Sequence, residues 1–575
     1  MEAVEPPWNV GNLSYKRLEN ALESFKQVLP GFVLPSRHTL TRYVSGYFHG
    51  FHDHLPFLYL PTFRLDECAP ELFLAIAAVG AQHRFENQNG LKLFDAARAV
   101  AFEQRRRRMR KFAEIRPEYR FGSTARNRGA DNHGTQPQLR DLNYSQQSRY
   151  ERMQTVRALL LVTAFATWED HPEMVREATE LQSSLARCLR ELGMRDDTET
   201  DSDDWYEWAR LEGDRRTKLI VFCLLTLHTI TYNLPPVILS SGLHLRLPCS
   251  SRKWNAKSAS EWQLLTASTT ATTEPLFQDA FAALFSKPGR ASESPTTHFA
   301  SPLGNYVLIL ALIQRSYCIH QLSTLAPSET SSLKEQLELA LQRWKLNWQE
   351  SPESSLDPHN ASGPIPFTAT SFLALAHIRL VCDAGPHREL HTRDPLRIAA
   401  ALTRLPPVER GRSSRNMVVP ALLHAAHALS IPIKLGIDYV AKSQHFFWGI
   451  HHSVSSFECA VFLARWLYQI EAEGIEDGDA VGDYEKRILL WVRSIVEEAQ
   501  STMMDLLATS RRDDEDFGSA HSVALAIIKI WARIFQGNTS WALINIFGDS
   551  LELLASTMES ENIWGRSSSE METKE

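Results

Sequence analysis

Apolar residues recur at three- and four-residue spacing along most of the chain. In KLFDAARAVAFEQRRRRMRKFAE, 92–114, Leu93, Ala96, Ala97, Val100 and Ala101 fall on one face of a helix. PEMVREATELQSSLARCLRELG, 172–193, behaves likewise, with Pro172 suited to a first turn and Gly193 to a C-terminal stop. The same spacing predicts helices over 71–82, 150–168, 205–233, 303–325, 331–349, 369–383, 416–430, 453–473, 485–508, 519–536 and 541–557. Alternating apolar and polar runs joined by two-residue turns are nearly absent. The pattern therefore predicts an all-α fold, a large multi-helix irregular array in two packed halves.

Polar, proline-bearing or charged stretches interrupt the periodicity at 116–138, 286–297, 350–364 and 511–516, and these read as loops. The organisation expected from them is an N-terminal lead over 1–16, a helical domain over 17–285 carrying a polar loop at 116–148, and a linker at 286–300. A C-terminal helical region over 301–560 and a disordered tail over 561–575 complete it. No repeat of fixed period is present, so a solenoid could exist only in irregular form.

Composition narrows the class. Of 575 residues, 43% are apolar and 10% aromatic, with 14 Trp, which excludes a mostly disordered chain. MEAVEPPWNV has neither the basic flank nor the apolar run of a secretory leader. The richest apolar stretch, LIVFCLLTLHTITY at 219–232, is shorter than the ~20 residues a bilayer crossing needs. No membrane partner is expected.

Cys68, Cys188, Cys223, Cys249, Cys318, Cys382 and Cys459 stand at least 26 residues apart. Structural zinc sites recruit close C-x2-4-C pairs, so no zinc finger is encoded here, and buried small apolar side chains are the expected role. Charge is polarised under a net −7: from Arg105 to Arg128 ten Arg or Lys face two Glu, while Asp196–Asp214 holds nine acids against Arg210. The run Arg105, Arg106, Arg107, Arg108, Arg110 and Lys111 fits a nuclear-import address, a phosphate-contact patch or the solvated face of a helix.

The chemistry-bearing residues are sparse. FHGFHDHLPFLYLPTF, 48–63, gathers His49, His52, Asp53 and His54, and Pro56 breaks the chain so that a metal site is geometrically conceivable. No H-E-x-x-H, second acid pair or Cys ligand accompanies them, which favours imidazoles hydrogen-bonded near a helix end. Phosphate-cradling glycine loops and the G-x-S-x-G elbow are also absent. His451 and His452 beside Phe446, Phe447 and Trp448 could line a small-ligand pocket, although aromatics at helical spacing more often form core.

Two segments carry a resemblance. FHGFHDHLPFLYLPTF followed by PELFLAIAAVGAQHRFE, and the block from WYEWARLEGDRR to LRLPCSSRKWNA at 205–256, resemble the fungal-specific transcription factor regulatory domain, the middle homology region. The matching positions of the second block are Trp205, Trp208, Glu212, Arg215, Arg216, Phe222, Asn233, Pro235, Pro236, Leu247, Pro248, Cys249 and Trp254. Glu212 and Arg216 stand four apart and can pair on a helix. SSFECAVFLARWL, 455–467, is similar to C-terminal helices of members that carry two zinc fingers.

The resemblance implies a nuclear, non-enzymatic transcription regulator with no cofactor, controlling a metabolic or secondary-metabolite gene cluster. Such regulators place zinc fingers or a six-cysteine cluster ahead of this domain, and no Cys precedes Cys68 here. DNA is then contacted weakly or indirectly, through a DNA-binding transcription factor, the transcription machinery or a missing N-terminal zinc module. A small-molecule effector and a homodimer are further partners the resemblance admits. Two alternatives stand beside it: a metal-dependent hydrolase on His49, His52, Asp53 and His54, and a non-catalytic adaptor using the basic and acidic blocks.

Overall fold

In the computed structural model of the chain, the three- and four-residue spacing is realised as helices throughout. The structure describes residues 8–115, 139–196, 202–268, 274–286, 300–323, 327–357, 359–360, 362–408, 415–447, 449–473, 482–502, 519–537, 539–560 and 563–564. Among them are twenty α-helices and no strand, with isolated bridges only at Arg195–His244 and Arg246–Leu276. The all-α expectation holds. The chain divides into two compact units.

The first unit comprises 1–52, 60–166 and 178–194. It holds α1 (Asn12–Glu23), α2 (Arg37–Tyr47), α3 (Pro70–Gln82), α4 (Asn87–Ile115), α5 (Leu139–Trp168) as far as Ala166, and α6 (Pro172–Leu192) from Ala178. The predicted stripe of α4, Leu93, Ala96, Ala97, Val100 and Ala101, is fully buried, and Phe94 stacks on Phe165 of α5 at 5.0 Å. Helices α2 and α3 approach backbone to backbone at Gly80, where a Cβ would stand 1.8 Å from the Tyr43 carbonyl oxygen, so no larger residue fits. Helix α5 begins at Leu139 and not at 150, so residues 139–148 of the expected polar loop are helical; 116–138 lie outside the described residues.

The second unit comprises 53–59, 167–177 and 195–575. It opens with α7 (Trp205–Tyr232) and the short α8 (Ser251–Trp254), α9 (Ala259–Ser268) and α10 (Phe277–Ala283). The long helices α11 (Pro302–Ser323), α12 (Pro327–Glu350) and α13 (Ile365–Val381) follow, then α14 (Pro395–Leu402), α15 (Arg415–Leu435), α16 (Ile437–Phe447) and α17 (Ile450–Glu473). Helices α18 (Asp483–Thr502), α19 (Ala520–Phe535) and α20 (Ala542–Ser560) close the described part. Helix α13 packs on α11, α15 and α17, and α17 on α19, so apolar helices line the centre of this unit.

Apart from Ser286 and Ala300, the expected linker at 286–300 lies outside the described residues, and both its flanks belong to this second unit. Ser301 Oγ donates to the Pro248 carbonyl at 2.7 Å, and Gln314 Nε2 to the Ile238 carbonyl at 2.9 Å, joining α11 to the segment after α7. Most of the expected tail is likewise outside, but Trp564 is buried, with its ring edge-on to Tyr468 at 5.1 Å. Helix α15 is long and apolar enough over Asn416–Leu435 to cross a bilayer; here Val418, Leu422, Ala426 and Leu429 are buried in the unit, as in a core helix.

Candidate functional site

Helix α7 starts where Asp204 accepts hydrogen bonds from the backbone of Tyr206 and Glu207, a side-chain cap for its first turn. It ends at Asn233, whose φ of 54° is the left-handed stop that asparagine tolerates, with Pro235 and Pro236 barring continuation. Between these ends the helix places Glu212 wholly inside the second unit. Arg215 Nη1 donates to its Oε2 at 2.6 Å, and Arg216 Nε and the Cys249 N–H donate to its Oε1 at 2.8 and 3.0 Å.

The two arginines are themselves anchored. Arg216 reaches the Cys249 carbonyl at 3.1 Å and lies 3.9 Å from the Trp254 ring centroid, while Arg215 Nε donates to Asp196 at 3.2 Å. Asp196 also accepts from the Arg246 N–H at 2.6 Å. Burial alone would raise the Glu212 carboxyl; Arg215, Arg216 and the Cys249 N–H outweigh it and hold the group below its ordinary value. Arg216 and Cys249 thus tie α7 to the Leu-Pro-Cys segment, where Pro248 is buried.

Beside this ion set lies an aromatic one. Tyr59, from the 53–59 segment, meets Trp208 edge-on at 5.6 Å and Trp254 at 4.9 Å, and its hydroxyl accepts from the Trp205 indole at 3.2 Å and donates to the Ala256 carbonyl. Trp208 is fully buried against Trp262 at 5.4 Å, whereas Trp205 is only half-buried. Of the sequence-derived motif residues, Trp205, Trp208, Glu212, Arg215, Arg216, Cys249 and Trp254 therefore converge. Pro235 is exposed and Pro236 half-buried in the turn after α7. Sequence reading missed Tyr59, Trp262 and Asp196 as members of this cluster.

A second buried carboxylate was also missed. Glu458 on α17 accepts from Arg379 Nε at 3.1 Å and Nη2 at 2.5 Å, and from Arg388 Nη1; both arginines also donate to the Ile230 carbonyl at the end of α7. All three side chains are buried. Desolvation lowers the Arg388 guanidinium to about 10. The available signal was a charge set inside apolar helical runs, FLALAHIRLV and SSFECAVFL, since such residues are rarely buried unless paired.

The histidine-rich stretch divides between the two units. His49 and His52 belong to the first unit, where His49 Nδ1 bonds the Ser45 carbonyl at 2.8 Å and His52 packs on Phe48 at 5.4 Å in a π-helical turn continuing α2. His54 belongs to the second, with His451 and His452. Among the described residues no group of three or more His, Cys, Asp or Glu could hold a metal ion. Burial lowers His54 to about 4 and His452 to about 3, and burial with the neighbouring imidazoles lowers His451 well below 6.5. The side chains of Phe446 and Phe447, and Trp448 altogether, lie outside the described set.

The basic run is largely engaged within the first unit. Arg105 pairs with Glu191 at 3.4 Å, Arg106 and Arg107 pair with Glu103 at 2.5 and 3.0 Å, and Arg107 lies 4.1 Å from the Phe25 ring. Arg108 donates to Thr155, which in turn donates to the buried Glu71 at 2.6 Å. Arg106, Arg110 and Lys111 are exposed. In the acidic block, Glu207 and Asp214 take Arg210 at 2.5 and 3.4 Å, Asp196 and Glu212 take Arg215, and 197–201 lie outside the described residues.

Two family profiles match the chain. One, described as Fungal specific transcription factor domain, covers residues 44–346, more than half of the sequence; the other, Fungal transcription factor C-terminal domain, covers 383–553. No zinc-cluster domain is found. No curated protein and no solved structure matches the chain.

Proposed function

We propose that this chain, which belongs to the fungal specific transcription factor domain family, acts as the regulatory part of a nuclear transcriptional regulator whose DNA reading is supplied elsewhere. The family is a non-enzymatic regulatory one, and the hydrolase alternative on His49, His52, Asp53 and His54 has no metal-holding geometry behind it. The supporting observation is that the matched segment 44–346 contains every residue of the Glu212 and tryptophan cluster, a scaffold built for packing. Its carboxylate and both arginines are engaged in internal hydrogen bonds.

The engagement of Arg105, Arg107 and Arg108 in internal contacts weighs against autonomous DNA binding through the basic run. Phosphate contacts alone position without specifying sequence, and base contacts are what specify it. Recognition by a zinc module, carried by a partner or placed ahead of this segment, is the reading adopted, with metabolic or secondary-metabolite genes as the target class. Arg106, Arg110 and Lys111 remain as the import surface, because they are exposed. The adaptor alternative is disfavoured by the internal pairing of both charge blocks.

Chromatin immunoprecipitation of the tagged native product should recover promoter fragments that the purified full chain does not select by itself at physiological salt. Sequence-selective binding by the purified chain would overturn the partner-supplied reading, and absence of promoter enrichment would sink the regulator. Replacing Arg106, Arg110 and Lys111 by Ala should reduce nuclear accumulation; unchanged location would remove the import reading.

A further inference from the structure

Helices α12, α13, α15 and α18 of the second unit meet around a set of imidazoles. His377 of α13 is buried, donates from Nδ1 to Glu338 of α12 at 3.1 Å and stacks on His424 of α15 at 5.1 Å. The other oxygen of Glu338 accepts from Gln342 at 3.1 Å, so that carboxylate is fully engaged. His424 is half-buried, and one turn on His427 is exposed and meets Trp491 of α18 edge-on at 4.9 Å. The charges that reach these two imidazoles are all cationic. Lys345, His377 and His427 act on His424, and Lys345 and Lys434 act on His427, with no carboxylate from α12, α13, α16, α17 or α18 among them. Arg487 stands one turn before Trp491, and Glu498, two turns beyond it, has a partner of its own. Burial first, and then these cations, hold both imidazoles below 6.5.

Among the described residues neither Lys345 nor Lys434 makes an ion pair. Other cations of this unit do: Lys529 takes Glu559 at 2.5 Å, and Arg533 takes Asp438 at 3.2 Å. The same surface is apolar. Leu423, one turn before His427 on its face of α15, is 37% exposed, Leu346 beside Lys345 is 55% exposed, and Leu490 beside Trp491 is 63% exposed. Scattered exposed leucines are ordinary, but three of them around an indole and an unopposed positive charge make the pairing that interaction sites carry. A nucleic-acid strand would use the lysines and the indole and would leave its sugar-phosphate chain against the leucines. An apolar chain bearing carboxylates matches both features at once.

We propose that this surface docks an acidic amphipathic helix of a partner protein, its carboxylates facing Lys345, Lys434, His424 and His427 and its apolar side chains resting on Leu346, Leu423, Leu490 and Trp491. A carboxylate brought beside an imidazole favours the protonated ring, so docking takes up protons. Affinity therefore rises as pH falls from about 7 toward 5, an interval in which the carboxylates of the helix remain ionised. As a recruitment surface it rests on the regulator reading above, but docking itself is measured on the purified chain. Absence of promoter enrichment would therefore overturn that reading and leave this one standing.

The test is fluorescence anisotropy of the purified full chain with a labelled peptide of about 16 residues, leucines at i, i+3, i+4 and i+7 and glutamates on the flanks. Beside it stand the same peptide with Lys for Glu, the same with Ser for Leu, and an oligothymidylate. Saturable binding of the acidic leucine peptide is expected, with the other three weaker by roughly tenfold or more. The double variant Lys345→Glu, Lys434→Glu and the single variant Leu423→Ser should each weaken it to a similar extent. Both change side chains that reach solvent, and a far-ultraviolet spectrum checks that the fold is kept. His427→Gln should flatten the rise in affinity between about pH 7 and 5 and leave binding at the upper end nearly unchanged. Equal binding of the lysine or serine peptide, preference for oligothymidylate, or no effect of the lysine substitutions would each overturn the proposal. So would self-association of the full chain, seen by sedimentation velocity and abolished by Leu423→Ser, since a second copy would then cover the surface.

Discussion

The second unit contains two buried carboxylates, each held between two arginines, and they differ in how the chain assembles them. Glu212 takes Arg215 and Arg216 from its own helix, three and four residues on, and gains the Cys249 N–H as a third donor. Glu458 takes Arg379 from α13 and Arg388 from the segment beyond it, 79 and 70 residues away in sequence. The local set is closed, with Arg215 passed on to Asp196 and Arg216 to Cys249 and Trp254. The long-range set is open at Arg388 Nε. The first set has both carboxylate oxygens and both arginines engaged, whereas the second leaves one buried donor without an acceptor.

This difference sets the largest expected effect. Removing one partner of a buried ion pair costs about 3–5 kcal/mol, because the remaining charge stays desolvated and unpaired. Glu458→Ala would strand two arginines that retain only the Ile230 carbonyl in common, and should fall at the top of that range. Glu212→Ala leaves Arg215 with Asp196 and Arg216 with Cys249 and Trp254, and should fall at the bottom. Urea midpoints followed by circular dichroism compare the two; equal losses, or a larger one at Glu212, would break the distinction between open and closed sets.

A smaller difference is expected inside the closed region. Trp208 is fully buried, so Trp208→Ala should cost about 3–5 kcal/mol, while half-buried Trp205 should cost about 1–2 kcal/mol through its Tyr59 hydrogen bond and ring contact. A Trp205→Ala loss as large as that of Trp208→Ala would show that the indole–Tyr59 bond, and not burial, holds the cluster. The comparison also marks how much could be read from sequence. Helical spacing located most long helices, and the three- and four-residue offsets gave the Glu212 pairing, because both are local.

What escaped was set by distance along the chain. Helices α1, α2, α8, α9, α10, α14 and α16 fall outside the segments the spacing predicts, and none is longer than the 12 residues of α1, too short for the period to repeat many times. Tyr59 joins tryptophans about 150 residues away, Glu458 joins arginines from two other segments, and His54 meets His451 and His452, none of which a local period encodes. The histidine run 49–54 looked like one site because its members are adjacent, yet they divide between the two units. Likewise, the charge blocks at 105–111 and 196–214 read as surfaces, although much of each is spent on internal pairs.

The histidines give the smallest and most separable effect. His54, His451 and His452 are kept neutral by burial, whereas Glu212 is kept charged, so acid acts on the two clusters in different windows. A histidine whose folded value is depressed binds its proton more readily in the unfolded chain. Its contribution is therefore intact above about 6.5 and is lost as pH falls from there toward the folded value, about 4 for His54 and about 3 for His452. For the enclosed His452 the slope is about 1.4 kcal/mol per pH unit. Glu212, with its folded value below 4.5, loses its contribution only as pH falls beneath that figure. Thermal unfolding of the full chain between pH 7 and 5 should thus decline, and His452→Gln should flatten the decline while leaving the loss below pH 4.5 in place. A variant that keeps the wild-type slope between pH 7 and 5 would mean that the three imidazoles already reach protons in the folded chain and that burial does not hold them neutral.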